Sequence, residues 1–511
     1  MAWLGASLLV AGFAVLCKLF GLVSGTRQVV IRARQSLLVL GDATLPDEAK
    51  EKALQAHALH LFRLFGLLVV GGAAALALPL AGLWGADRYG LFSWDEVLAT
   101  TLSWPFLLIS AVAMAAVFGL RPRRRPAAAA REGFENRYST TEQWLHQIAF
   151  STVPAQLGVA DLEDRLHRKA MRRVVVGRPV FITALPRAGT TLLLECCAGL
   201  DEFASHTYRQ MPFVLTPLLW ERFSGVFRVK SGARERAHGD GMEVSVDSPE
   251  ALEEVLWLAF WRQHYGPDRI RPWEPHEANP EFLEFFDAHI RKLALVTQPT
   301  RRREGAAVRY LSKNNANIAR IPWLMTAFPN AQFVVPFREP LQHAASLRRQ
   351  HGNFLKLHRT DEFARLYMAG IGHFDFGANL RPIDFANWLG SDAPAAQADG
   401  LAFWLRYWTA AYGRLLEVAE GPVGECVRLM DFDALCHAPG EALGDMAAFL
   451  EIRDLENFTA EARRIRAPKP HPVDTSDVAP AVLEEARTVH ARLVDRAQAA
   501  RGERKDALRT A

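Results

Sequence analysis

The chain has 511 residues, half of them hydrophobic, and a formal net charge of +4 at pH 7. That is long enough for a large core and more than one domain, and no nucleic-acid partner is expected. Five cysteines, Cys17, Cys196, Cys197, Cys426 and Cys436, are odd in number and lack metal-ligand spacing, so neither a disulfide framework nor a bound metal is expected.

The hydrophobicity is uneven along the chain. Residues 64–84 run for 21 residues, and 97–120 for 24, without a charge. Each run is enough to cross about 30 Å of hydrocarbon as a helix. A third apolar run, from Ala2 to about Val23, is interrupted only by Lys18, which can snorkel from near a helix end. It has neither a basic n-region nor a small-x-small cleavage site, so a removable signal peptide is not expected. Residues 1–120 therefore read as a membrane anchor of about three transmembrane helices, near 2–23, 64–84 and 97–120.

Six Lys/Arg lie between residues 26 and 63, only Arg88 lies in 85–96, and Arg121, Arg123, Arg124 and Arg125 follow the third run. The positive-inside rule then places the first loop and everything after residue 121 in the cytoplasm, with the N-terminus outside. This is the arrangement of a bacterial inner-membrane protein.

Residues 121–140 read as a basic linker, 141–176 as helical, and an α/β core begins near Arg178. The run Phe181-Ile-Thr-Ala-Leu-Pro-Arg187-Ala188-Gly189-Thr190-Thr191 is an apolar strand that breaks into a tight turn and opens a helix. Strand, loop and helix N-terminus in that order aim backbone N–H groups and a helix dipole at one spot, a phosphate cradle. A nucleotide-triphosphate loop would carry Gly-Lys-[Ser/Thr]; here the lysine is missing and an arginine sits earlier.

From 201 to 305 lies a charged, aromatic-rich insert, in which Ser248-Pro249-Glu250 reads as a helix N-cap before Trp257, Phe260 and Trp261 at helical spacing. Arg309-Tyr-Leu-Ser-Lys313-Asn314-Asn315 then reads as a strand ending in a polar turn. Ala331 to Phe337 is a buried strand, followed at once by Arg338 and, eight residues later on a helix, Ser346. A late strand, Val427 to Asp431, precedes Phe432-Asp433 and an apolar helix ending Ala448-Phe449-Leu450. Residues 476–511 read as a charged helix or tail.

These motifs together resemble the sulfotransferases that use 3′-phosphoadenosine 5′-phosphosulfate (PAPS), over about 178–350 firmly and 400–470 loosely. The resemblance implies a P-loop-like three-layer α/β sandwich with a central parallel sheet over residues 141–475, with the acceptor site in the 201–305 insert. It implies that Arg187, Ala188, Gly189, Thr190 and Thr191 hold the 5′-phosphosulfate, that Arg338 and Ser346 hold the 3′-phosphate, and that Lys313 is the catalytic lysine. Arg466 and Lys469, in the run 464–471, are the candidates for a late basic contact. PAPS is the expected co-substrate, with no metal, and the acceptor is a hydroxyl or amine, on a lipid or membrane-associated molecule. Alternatives are a P-loop-type small-molecule kinase and a non-catalytic nucleotide-binding membrane scaffold.

The general base departs from the family pattern. Many relatives place His two residues after the catalytic lysine, where this chain has Asn315, an amide without useful basicity. His206 is the nearest alternative, because an ordinary imidazole titrates in the right range. Glu243, Asp247, Glu250, Glu253, Glu254, His238 and Asp240 are competing candidates.

Overall fold

The computed structural model describes residues 2–22, 29, 47–101, 103, 106, 110, 140–227, 234–235, 243–244, 248–297, 307–391, 397–468, 471–476 and 478–510. The chain divides into two units, Met1–Arg131 and Glu132–Ala511. The first contains helices α1 (Ala2–Leu19), α2 (Asp47–Arg88) and α3 (Trp94–Thr101). Among the described residues, two helical stretches are long and apolar enough to cross a membrane: α1, with mean hydropathy 1.9, and Leu61–Arg88 of α2, with 2.2. The expected third span at 97–120 lies largely outside the described residues, and its beginning belongs to the short α3. The 121–140 linker also lies outside them, apart from Thr140.

The second unit is built on five parallel strands: β1 (Val180–Ile182), β2 (Phe203–Ala204), β3 (Arg309–Lys313), β4 (Gln332–Phe337) and β5 (Val427–Asp431). Their order across the sheet is β2-β3-β1-β4-β5. All of β1 and β4 is buried, which is why these strands read as continuous apolar runs. Alternate side chains go to opposite faces. Phe181, Phe333, Val335, Phe337 and Leu429 join one core, whereas Val180, Ile182, Val334 and Met430 join another.

Helix α4 (Thr190–Ala198) adds Leu193, Leu194, Cys196 and Cys197 to the second core. Burial pushes the Cys196 thiol up to about 12, so the cysteine pair is packing material and carries no reactive thiolate. The opposite face is covered by α5 (Glu254–Phe260), α6 (Pro280–Thr297), α7 (Ile321–Ala327), α8 (Pro340–Thr360) and α9 (Leu401–Glu420). Helix α10 (Pro439–Leu450) returns to the α4 side. The expected charged tail is helix α11 (Pro480–Thr510), which buries Ala486, Leu493 and Ala497 in the first core.

The insert differs from expectation at its helix start. Ser248 and Glu250 pair by backbone with Tyr208 and His206 (Tyr208 N to Ser248 O 3.2 Å, Glu250 N to His206 O 2.9 Å), so the helix begins only at Glu254. Its aromatic residues Trp257, Trp261, Trp273, Phe282 and Phe286 are all buried.

Candidate active site

The carboxyl ends of β1, β3 and β4, where the strand order reverses, open one crevice, the usual ligand position in a parallel sheet. Beyond β1 the chain turns through Arg187 at φ +70° and Gly189 at φ +100° into α4. Left-handed backbone at an arginine is strained by about 1–3 kcal/mol and has to be held by its surroundings. Arg338 and His343 help to hold it. Arg338 Nη1 donates to Arg187 O at 3.0 Å, and the ring of His343 bonds Pro186 O through Nε2 at 2.8 Å. Trp408 Nε1 in turn donates to His343 Nδ1 at 3.2 Å, which leaves Nε2 as the protonated nitrogen. A Cβ at Gly189 would stand 2.5 Å from the Phe432 ring, so glycine is required there by both conformation and space.

Arg338 follows β4, and its guanidinium lies 5.4 Å from the Phe432 ring centroid. Its buried Nε has no hydrogen-bond partner among the described residues, and burial lowers its affinity for a proton. A partly desolvated guanidinium with an idle donor suits an anion. Ser346, two turns into α8, is buried. Arg187, Arg338 and Ser346 line one cavity of about 610 Å³, together with Arg348 and Arg349 of α8 and with Pro468, His471 and Asp474. Thus the loop arginine and the two residues expected at the 3′-phosphate share one wall.

Lys313 ends β3 in register with Ile182 of β1, and Asn314 and Asn315 turn away from it into a short 3₁₀ helix. Thr183 Oγ1 donates to Asn315 O at 3.2 Å, and Thr190 Oγ1 reaches Asn315 Oδ1 at 3.5 Å. The turn therefore abuts the start of α4. Beneath it lies a buried polar network. Arg320 donates from Nη1 to Glu254 Oε2 and from Nη2 to Glu254 Oε1, both at 2.8 Å. Its guanidinium is sandwiched 4.1 and 3.9 Å from the Trp257 and Trp273 ring centroids. Asn314 Nδ2 donates to Glu254 at 2.7 Å, and Asn317 Nδ2 and Tyr310 OH donate to Glu253 at 2.8 and 2.7 Å. Glu253 and Glu254, read from sequence as competing base candidates, are thus supports of the lysine turn and not proton acceptors facing a substrate.

His206 is 2% exposed, and its Nε2 lies 2.9 Å from His289 Nε2. Burial drags it down to about 3 and likewise depresses His289. A closed histidine pair of this kind is structural, and the base role expected of His206 does not fit it. The pairing gives a stability prediction. The folded ring stays neutral while the unfolded ring protonates near 6.5, so the unfolded chain binds the extra proton between those values. Stability is then lost as pH falls from about 6.5 toward 3, by roughly 1.4 kcal/mol per pH unit for one ring. Denaturant midpoints measured across this range should fall with acidification, and a His206→Gln chain should show a shallower slope.

Of the remaining expected residues, Ala188 in the loop and Thr190 at the start of α4 are buried, and Thr191 is half-buried. Arg466 is exposed, with Nη1 on the neighbouring Ile465 O at 2.8 Å, and it does not line the cavity, whereas Pro468 and His471 do. Lys469, His238, Asp240 and Asp247 lie outside the described residues. No motif or spacing in the sequence singles out His343, Trp408, His373 or Asp375. Asn315 Nδ2 donates to Asp375 Oδ2 at 3.2 Å, and Asp375 Oδ2 lies 3.7 Å from His373 Nε2.

Residues 179–371 match the family described as the Sulfotransferase family. No curated protein matches the chain. Among solved structures, the chain is similar to a sulfotransferase from Mycobacterium avium, with 16% identity, 68% of this chain and 84% of that chain covered and a TM-score of 0.40. It is also similar to one from Mycobacterium tuberculosis H37Rv, with 15% identity, 65% and 80% covered and a TM-score of 0.34. For one from Alicyclobacillus acidocaldarius the values are 13% identity, 63% and 96% covered and a TM-score of 0.29.

Proposed function

We propose that this protein is a PAPS-dependent sulfotransferase. The family match over 179–371 indicates a transferase, and one observation carries the donor assignment. Arg187 and the pair Arg338 and Ser346, from two separate segments, line a single cavity, and Arg338 keeps a buried donor idle beside it.

In this reading the amides of Arg187 to Thr191 and the N-terminus of α4 hold the 5′-phosphosulfate. Arg338 and Ser346 hold the 3′-phosphate, with Arg348 and Arg349 adding positive potential. When bound, PAPS supplies an activated sulfuryl group to a hydroxyl or amine. Lys313 donates to the bridging oxygen and takes up the charge that develops there. The apolar helices Ala2–Leu19 and Leu61–Arg88, with the arginine run at 121–125, favour an integral membrane enzyme whose later residues face the cytoplasm, and a membrane-associated acceptor.

Calorimetric titration of the full-length chain with 3′-phosphoadenosine 5′-phosphate, against ATP·Mg, tests the donor site. The expected result is binding that depends on the 3′-phosphate and weakens by about 10–100-fold in Arg338→Ala, as losing one or two charged hydrogen bonds implies. Preference for ATP·Mg, or equal binding by the variant, would overturn the reading and favour a phosphoryl-transfer enzyme.

A further inference from the structure

The polar chain that leaves the phosphate loop through Asn315 leads to His373. It runs from Thr190 Oγ1 to Asn315 Oδ1 at 3.5 Å, from Asn315 Nδ2 to Asp375 Oδ2 at 3.2 Å, and from Asp375 Oδ2 to His373 Nε2 at 3.7 Å. We propose that His373 Nε2 is the base that removes the acceptor's proton, that the Asp375 carboxylate stabilises the imidazolium formed, and that Asn315 positions Asp375. The proposal rests on the sulfotransferase reading above.

Three features of the segment carry it. The His373 ring is stacked on Phe354, with centroids 5.2 Å apart and planes 16° apart, which fixes the plane of the imidazole. Its backbone N–H donates to Met368 O at 2.8 Å. The preceding Gly372, at φ +77°, lies so close to Glu254 that a Cβ would stand 2.3 Å from Glu254 Cγ. The loop bearing His373 and the turn bearing Lys313 are therefore mounted on the same buried Glu254–Arg320 pair, which fixes their spacing.

The side chains of His373 and Asp375 are 15% and 24% exposed, so the pair is partly shielded yet accessible to an acceptor. Lys313, Glu250 and His358 are the other titratable groups that act on the His373 ring. Burial, the largest influence, holds the imidazole below its ordinary value. The ring is then neutral, as a base must be, at neutral pH.

The step balances without a further reactant. The acceptor oxygen forms a bond to sulfur and its proton passes to His373 Nε2. The bond from sulfur to the bridging oxygen breaks, and that oxygen leaves on 3′-phosphoadenosine 5′-phosphate, with Lys313 donating to it. Asp375, beside the newly protonated Nε2, offsets the charge. Asn315 occupies the position where the family pattern has its histidine and cannot accept the proton itself. In this chain the proposed base is linked to that position through Asp375, from a loop about 60 residues further on.

Two phenols distinguish a base from a structural residue. Full-length wild-type, His373→Gln and Asp375→Asn chains would be given PAPS with phenol and with 4-nitrophenol, at a pH where only the latter is already ionised. The expected result is that His373→Gln slows transfer to phenol by about 10²–10⁴-fold, yet stays within about tenfold of wild type with 4-nitrophenol, which needs no base. Equal losses on both phenols, no loss on either, or no transfer by a wild-type chain that binds 3′-phosphoadenosine 5′-phosphate would each overturn the base assignment. Absence of that binding in the wild type would overturn the donor reading instead.

A second readout is independent of turnover. The His373 ring resonance, identified by its loss in His373→Gln, should titrate at lower pH in Asp375→Asn, because the imidazolium loses its carboxylate. An unchanged midpoint would remove Asp375 from the proposal.

Discussion

A Lys313→Ala chain is expected to transfer the sulfuryl group about 10²–10³-fold more slowly than wild type, with its affinity for 3′-phosphoadenosine 5′-phosphate changed by no more than a few-fold. The split follows from where the residue sits. Lys313 closes β3 beside Ile182 of β1, on the edge where the loop leads into α4, whereas the anion cavity is walled by Arg187, Arg338 and Ser346. On the proposed reading, an ammonium at that edge would meet the bridging oxygen, whose charge grows only as the bond breaks, so its loss would raise the barrier more than it weakens ground-state binding. Single-turnover rates with radiolabelled PAPS, together with calorimetry, separate the two effects. A loss of affinity as large as the loss of rate would place Lys313 in donor binding instead.

The second large effect is on folding. Glu254→Gln should destabilise the catalytic unit by about 3–5 kcal/mol, the usual cost of leaving one member of a buried ion pair uncompensated. Arg320 is fully buried between Trp257 and Trp273, and Glu254 accepts both of its terminal nitrogens and the Asn314 amide. Burial alone would raise the Glu254 carboxyl, but the charge and hydrogen bonds of Arg320, with Tyr265 and Asn314, hold it below its ordinary value. The stability from this pair is therefore present above the usual carboxylate range and is lost as pH falls through the lower folded value. Urea midpoints would measure the loss. The double variant Glu254→Gln/Arg320→Met should recover part of it, because no unpaired charge then remains. A midpoint unchanged in Glu254→Gln would show that the pair is not what holds the lysine turn.

The parts of the site that are local in sequence could be read from the sequence. The cradle at Arg187 to Thr191 is a strand, a turn and a helix start within a dozen residues, and its backbone geometry follows from residue types at fixed offsets. The same holds for Arg338 and Ser346, which are joined by one strand end and two helical turns. The strands that carry them could be read as well, because a parallel sheet buried on both faces demands unbroken apolar runs.

Other features depend on segments meeting. Glu253 and Glu254 look like a charged helix face until Arg320 arrives from 66 residues away, and His206 looks like a free base until His289 closes on it. Arg466 reads as a contact by resemblance to a late basic loop, whereas among the described residues of that run Pro468 and His471 are on the cavity wall.

By itself, then, the sequence determined the strand, turn and helix start around Arg187 to Thr191, the buried apolar strands and the apolar helices near the N-terminus, because each is set by the periodicity and turn chemistry of neighbouring residues. The tertiary structure alone decided which charged groups are buried and paired, and which histidine is linked to Asn315 through Asp375. Burial and pairing are properties of surfaces brought together across long stretches of chain, and a one-dimensional pattern does not carry the distance between them.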